Sequence, residues 1–336
     1  MQSMPEERAL EAVARAVHRD ADTPGRRRRP PSAIRMGAAD TWSLRVGGDA
    51  LILKRYRRGQ DEIDVEWEHT FLERLAVTTF PAPRPIQALA GRSWLRLDDR
   101  VWGTLTYLPG RSLSWECRPG LDMAGMLLAE YHRAARSILV DHQRPSGVPL
   151  ADLADRAPWD RLPAALGEAD RTRDFERLLD ELGQELDAID YGSVGQFVIH
   201  GDCTTDNMLI GGTPPRMVGL IDFGNAYVEG HLADIGAGLW RSGRADPAAI
   251  GLDPHRVASF VAGYHRRSPL EPRLVRAVPT LIKARGLQLI VRWTRRALPG
   301  ELSTLVPVLT QTLDRVKWIH NHQRELEAAT AGAISV

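Results

Sequence analysis

VIHGDCTTDNMLI, residues 198–210, sets His200, Asp202, Asp206 and Asn207 between two apolar ends. Polar groups in such a frame cost free energy unless they are hydrogen-bonded or bind something. A little further on, GLIDFGNAY (219–227) frames Asp222 in the same way. The insert GGTPPR (211–216) reads as a hairpin-like connection between two short strand-like runs. The two polar segments are therefore expected to converge. The structural alternative is a buried polar network that only pins a loop.

Phosphoryl transfer from a nucleotide asks for a carboxylate to take the acceptor's proton. It also asks for hard oxygen ligands for one or two Mg²⁺ ions and a positive group on the α and β phosphates. Asp202, Asn207 and Asp222 supply the oxygens. A His-x-Asp-x4-Asn run arises by chance in a chain this long at roughly one in a hundred. Asp-Phe-Gly at 222–224 is weak alone, but the ordered pair is specific.

The pair resembles the catalytic and metal loops of the protein-kinase fold, with Gly201 where protein kinases carry Arg and no Ala-Pro-Glu after Asp222. Both departures argue against a protein kinase. His-Gly-Asp, four residues, Asn, then Ile-Asp-Phe-Gly looks instead like the aminoglycoside phosphotransferase and choline kinase family, whose members phosphorylate hydroxyls of small molecules. The resemblance implies an α+β, two-lobed protein-kinase-like fold. It implies ATP and Mg²⁺, with Asp202 as catalytic base, Asn207 and Asp222 as metal ligands, and His200 as a structural residue near Asp222. Asp206 has no role in that pattern, and Cys203 reads as packing.

Upstream, ALILKRY places Lys54 after alternating apolar residues, and WEHTFLERLAVTTFPAPRP aligns best with Glu68, rather than Glu66, as its partner. RMGAADTW (35–42) stands where the phosphate-covering loop belongs, with Gly37 its one useful glycine. TLTYLPGRSL (104–113) looks like the hinge, where the backbone of about Thr106 to Leu108 would meet the adenine. Downstream, the resemblance gives Asp234 the task of tying down the loop after Asp222. Trp240 and Arg241 read either as pocket edge or as core packing and surface charge.

The rest of the chain fits this frame. Residues 33–56 carry two strand-like runs around Gly47-Gly48, 61–76 are helical in pattern, and 93–99 and 100–108 are strand-like. Helices are expected over 5–18, 121–140, 170–189, 253–266, 272–297 and around 301–328. The N-terminal lobe then spans 1–107 and the helical C-terminal lobe 108–336. With 336 residues, 43% hydrophobic and 26% charged, the composition is that of a globular protein, and a net charge of +1 gives no push toward nucleic acid or membrane. Arg26 to Arg29 lack interleaved aromatics and read as a solvated loop rather than a nucleic-acid patch. No apolar run approaches a membrane span. Two cysteines make no disulfide framework, so a reducing, cytoplasmic setting is expected.

The acceptor stays open at this level. Residues 260–293 resemble the type II homoserine kinase branch, where an arginine such as Arg285 could meet a substrate carboxylate. An aminoglycoside would need acidic residues. A choline-type acceptor would need an aromatic cage, for which Trp240, Tyr264 and Trp293 are available. The alternative to an enzyme is a kinase-fold nucleotide-binding module without turnover; the oligomeric state is not legible.

Overall fold

The computed structural model describes residues 32–35, 40–46, 49–87, 92–113 and 118–334. The expected helix over 5–18, Arg26 to Arg29, Gly37, Gly47-Gly48 and Cys117 lie outside these residues. The chain divides into two compact units, Met1–Pro109 with Arg144–Ser146, and Gly110–Gln143 with Gly147–Val336.

The first unit is an antiparallel sheet and one helix. Its strands are β1 (Ser32–Arg35), β2 (Thr41–Val46), β3 (Asp49–Arg55), β4 (Trp94–Leu97) and β5 (Arg100–Thr106), in the order β1-β2-β3-β5-β4. Side chains alternate across a strand. On β3, Leu51 and Leu53 therefore join Trp42, Leu44 and Trp102 in one apolar cluster. Lys54 faces the other way, where Tyr56, Val65, Trp94 and Val101 pack. That second face meets α1 (Glu62–Val77), which starts at Asp61, whose carboxylate accepts from the Asp64 N–H. Gly103 stands opposite Lys54 on β5. A Cβ there would lie 2.9 Å from the His69 ring and 3.0 Å from the Tyr56 ring. The missing side chain is what lets α1 come close at this point. α1 ends at Val77, where the Thr78 N–H and hydroxyl both bond Leu75 O, and PAPRP (81–85) beyond it runs along β5, with Thr106 N–H donating to Arg84 O.

The second unit holds a two-stranded ribbon of β7 (Gln196–Ile199) and β10 (Tyr227–Gly230), and a three-stranded sheet β6-β8-β9 from Arg111–Ser112, Met208–Gly211 and Arg216–Leu220. Around them lie α2 (Arg118–Ala135), α3 (Leu162–Leu166), α4 (Ala169–Ala188), α5 (Ala233–Ser242), α6 (Pro254–Arg267), α7 (Pro272–Arg276), α8 (Val278–Arg296), α9 (Leu302–Asn321) and α10 (Gln323–Ile334).

Three helix expectations need correction. The helix expected over 121–140 stops at Ala135, where Arg136 and Ile138 close turns onto His132 and Ala135. Ile138 is still buried, so the apolar spacing outlasts the helix. The helix expected over 272–297 is two, parted at Ala277, because Pro279 has no N–H to continue the ladder. The last is also two, parted at His322. Strand β10 was not expected. Among the described residues no helix is long and apolar enough to cross a membrane.

Candidate active site

In the first unit, Lys54 Nζ lies 3.2 Å from Glu68 Oε1 and 4.7 Å from the centre of the Tyr56 ring. Glu66, the rejected partner, accepts from Trp94 Nε1 instead, at 2.5 Å. Glu68 is fully buried. Its second oxygen receives Arg144 Nη2 at 3.1 Å, while Arg144 Nε reaches Asp64 Oδ1 at 3.2 Å. Ser146 N–H donates to the same Asp64 oxygen. A short segment far along the chain thus clamps two carboxylates of α1, and Glu68 is held on both sides. Nothing in the surrounding DHQRPSG marks Arg144 in sequence. Arg144→Ala leaves two buried carboxylates short of their cation, so a loss of about 3–5 kcal/mol is expected. Urea unfolding measures it, with Arg144→Lys recovering only part because lysine cannot fork between two acids.

His69 sits behind this pair, bonded to Tyr56 Oη at 2.8 Å and Ser93 Oγ at 2.6 Å. Burial pushes its imidazole from 6.5 down to about 4. Below about pH 6.5 the unfolded chain takes up a proton that the folded chain refuses, so stability falls as pH drops from 6.5 toward 4. The shift corresponds to about 3 kcal/mol. His69→Gln is expected to flatten the urea midpoint against pH over that window relative to the parent. An unchanged slope would refute the assignment.

Of the backbone donors expected to face adenine, two are already used. Thr106 N–H bonds Arg84 O at 2.9 Å and Tyr107 N–H bonds Ala50 O at 3.3 Å. Of the three N–H groups that leaves Leu108, while the backbone carbonyls of Thr106 to Leu108 remain candidates to accept from the adenine amino group.

In the second unit the chemistry begins where β7 ends. Asp234, fully buried at the start of α5, accepts the backbone N–H of His200 and of Gly201, each at 2.7 Å. His132 Nε2 lies 3.1 Å from the same carboxylate. Burial works to raise the Asp234 carboxyl, but the bonds from His132 and His200 prevail and hold it below the usual range. Asp234 thus fixes the loop before Asp202, not the loop after Asp222 as expected.

His200 joins the two motifs. The Asp202 N–H donates to its Nδ1 at 3.3 Å, which leaves the proton on Nε2 to meet Ile221 O at 2.9 Å. Ile221 N–H donates to Asn207 O, also at 2.9 Å. Phe223 packs against the His200 ring, centroids 4.7 Å apart. The segments around Asp202, Asn207 and Asp222 are therefore one hydrogen-bonded piece. Asp222 itself has φ +64°, ψ 66°. A non-glycine residue in this left-handed region is uncommon and marks functional sites. Gly201, at φ +72°, explains the departure from the protein-kinase pattern: any Cβ would lie 2.3 Å from Asn225 O.

The carboxylate of Asp202 is partly exposed, at 27% of its side chain. Its Oδ1 lies 3.3 Å from Arg285 Nη2, and its Oδ2 accepts from Asn225 Nδ2 at 3.4 Å. Asn225 Oδ1 accepts from Arg292 Nη2 at 2.6 Å. Asn207 donates its Nδ2 to Asp202 O at 2.8 Å, so its amide oxygen is turned from that contact. Asn207 and Asp222 are a donor set of hard oxygens, which suits Mg²⁺ shared with phosphate oxygens rather than a closed protein cage. Among the described residues no cluster of three or more His, Cys, Asp or Glu is placed to hold a metal.

The remaining candidates separate cleanly. Asp206 pairs with Arg241 on the surface at 2.9 Å. Cys203 is fully buried and gives its thiol to Asp234 O; burial, then the charges of Asp234 and Asp202, push it well above its ordinary value, so it packs. Trp240 is buried under Arg315, and Tyr264 is buried with its hydroxyl 2.8 Å from His132 Nδ1. Trp293, on α8, stays partly exposed, and no ring contact among the described residues joins it to Trp240 or Tyr264. Asn225 and Arg292 were missed. The signal for Arg292 was its place seven residues after Arg285, on the same helix face.

The phosphotransferase enzyme family model matches residues 32–274. A homoserine kinase of Methylobacterium nodulans is 28% identical over 257 residues, 74% of each chain. A microcompartment-associated aminopropanol kinase superposes with a TM-score of 0.68 at 19% identity, covering 94% of this chain and 98% of its own. An amicoumacin kinase solved with AMP-PNP and Ca²⁺ gives 0.60 at 14%, covering 91% and 95%. These likenesses show the α+β protein-kinase-like fold.

Proposed function

This chain belongs to the phosphotransferase enzyme family and is a small-molecule kinase, and we propose that it moves the γ-phosphoryl group of ATP to a hydroxyl of a small acceptor with Asp202 as base. The observation that supports this best is the His200 imidazole, which ties the Asp202 loop and the Asp222 loop into one rigid piece. Preorganisation of this kind is what phosphoryl transfer requires, since little covalent chemistry falls to the protein.

In this reading Lys54, held by Glu68, meets the α and β phosphates, and Leu108 N–H meets the adenine. Asn207 and Asp222 would hold Mg²⁺, which would supply charge neutralisation on the phosphates. Asp202 accepts a hydrogen bond from the acceptor hydroxyl and takes its proton as the oxygen attacks phosphorus. Arg285 and Asn225 keep that carboxylate aimed. Gly37 covers the phosphates in the family pattern. Acceptors compatible with the family are amino alcohols, of the homoserine or choline kind, and aminoglycosides.

ADP release tests the reading. With Mg·ATP, release should rise on adding one class of alcohol from a panel of amino alcohols, hydroxy acids, choline and aminoglycosides. Release that ignores every alcohol, with Mg·ATP still bound, would instead favour a binding module without turnover.

A further inference from the structure

We infer that Asp202 takes the acceptor's proton on Oδ2, and that Arg292 is the positioning residue that keeps this oxygen in place by holding the Asn225 side chain. The inference rests on the kinase reading and deepens it by one atom and one residue.

The two oxygens of Asp202 are held differently. Oδ1 faces the Arg285 guanidinium, whose Nη1 donates in turn to Gln288 Oε1. Gln288 is anchored by donating to Val148 O at 2.7 Å and to the Tyr227 hydroxyl at 2.6 Å. Oδ2 faces the neutral amide of Asn225 at 3.4 Å, and the cation on that side, Arg292, stands behind the amide. A cation beside a carboxylate oxygen disfavours its protonation. Oδ2 meets a long, neutral contact and keeps a lone pair for the acceptor hydroxyl. The acceptor O–H bond then breaks and its proton passes to Oδ2. The electron pair left on oxygen forms the bond to γ-phosphorus, and the bond to ADP breaks, with its pair leaving on the ADP oxygen.

Arg292 fixes which way the amide points. A guanidinium only donates. The Asn225 atom 2.6 Å from Arg292 Nη2 is therefore its oxygen, and the atom turned to Asp202 is its nitrogen. A contact of 3.4 Å is too weak to hold an amide still, whereas one of 2.6 Å is not. The absence of a Cβ at Gly201 lets the Asn225 backbone come this close to the Asp202 loop. Arg292 is 5% exposed, and Asn225 is its one side-chain hydrogen-bond partner among the described residues. Burial, then the charges of Arg296 and Arg285, lower its guanidinium well below the ordinary value. A cation buried beside other cations for the sake of one neutral amide does not favour folding. What it secures is the geometry around Asp202.

A double-mutant cycle tests the assignment. ADP release with Mg·ATP is followed on whichever of L-homoserine, aminopropanol, choline and an aminoglycoside the parent protein turns over. Arg292→Met and Asn225→Ala should each lower kcat about ten- to a hundredfold, the cost of a reacting group misplaced by about 1 Å, with KM for ATP unchanged. Combined, they should cost no more than the larger single loss, because Arg292 acts through Asn225. Arg292→Lys, which also only donates, should recover part of kcat. Arg292→Met should leave the urea midpoint level or raised, since it removes a buried cation. Losses that multiply in the double variant would mean that Arg292 serves the acceptor or the phosphates directly, and overturn the proposal. So does a parent-like kcat in Arg292→Met, or a urea midpoint that falls together with kcat. Should Arg292→Met not fold, Asn225→Asp decides: it keeps a partner for Arg292 but cannot donate to Oδ2, so its kcat should fall as far as that of Asn225→Ala, and a parent-like kcat overturns the proposal. A loss of kcat in Asp202→Asn alongside a failed cycle leaves the kinase reading standing. ADP release indifferent to every alcohol and to Asp202→Asn removes both.

Discussion

Asp202→Asn is expected to lower kcat by about a hundred- to ten-thousandfold, the range that a positioned general base contributes. The amide keeps the size of the carboxylate and can still accept one hydrogen bond, but it cannot take a proton at neutral pH. The KM for ATP should move little, because Lys54 and the metal ligands are untouched. The substitution also removes the charge that faces Arg285 at 3.3 Å. Leaving that guanidinium with Gln288 alone should cost about 1–3 kcal/mol of stability, visible as a lower urea midpoint. The two effects are separable: Arg285→Gln made together with Asp202→Asn should recover part of the stability and none of the turnover. A kcat within threefold of the parent would rule out Asp202 as the base and move the role to another group near the acceptor.

The fold was legible because its signals are local. Alternation in ALILKRY places Lys54 on the opposite face from Leu51 and Leu53, whereas the choice of Glu68 over Glu66 as its partner was implied by the family resemblance; the pair itself forms at 3.2 Å. The contact that Arg144 makes with Glu68 spans 76 residues and follows from no periodicity. The same contrast holds at the catalytic loop. His200, Asp202, Asn207 and Asp222 stand in short motifs, whereas the groups that orient them, His132, Asp234, Arg285 and Arg292, come from helices distant in sequence. Asp234 shows the limit well. Its identity as a functional carboxylate was readable, but which loop it grips depends on how α5 packs against the end of β7. Gly201 is the reverse case: its departure from the protein-kinase pattern was visible, and its cause, Asn225 O at 2.3 Å from any added Cβ, is purely tertiary.

Asp222 carries the second large expectation. Its substitution should abolish the Mg²⁺-dependent part of nucleotide binding, not only turnover. Asp222 occupies the left-handed region at φ +64°. Alanine there adds strain of about 1–2 kcal/mol, while asparagine tolerates this backbone and keeps one oxygen. Comparing Asp222→Ala with Asp222→Asn therefore separates backbone from charge. If the carboxylate is what the metal needs, both variants fail alike in turnover, by about a thousandfold or more, since metal-borne stabilisation of the transferring phosphoryl group amounts to several kcal/mol. Only the alanine variant should also lose stability. The decisive measurement is binding of a non-hydrolysable ATP analogue with Mg²⁺ and with EDTA. In the parent protein Mg²⁺ should strengthen binding; in either variant the two affinities should coincide. Because His200 grips the backbone at Ile221 rather than the Asp222 side chain, the Asp202 loop should keep its place in Asp222→Asn. An undiminished effect of Mg²⁺ on that variant would take the metal away from this residue.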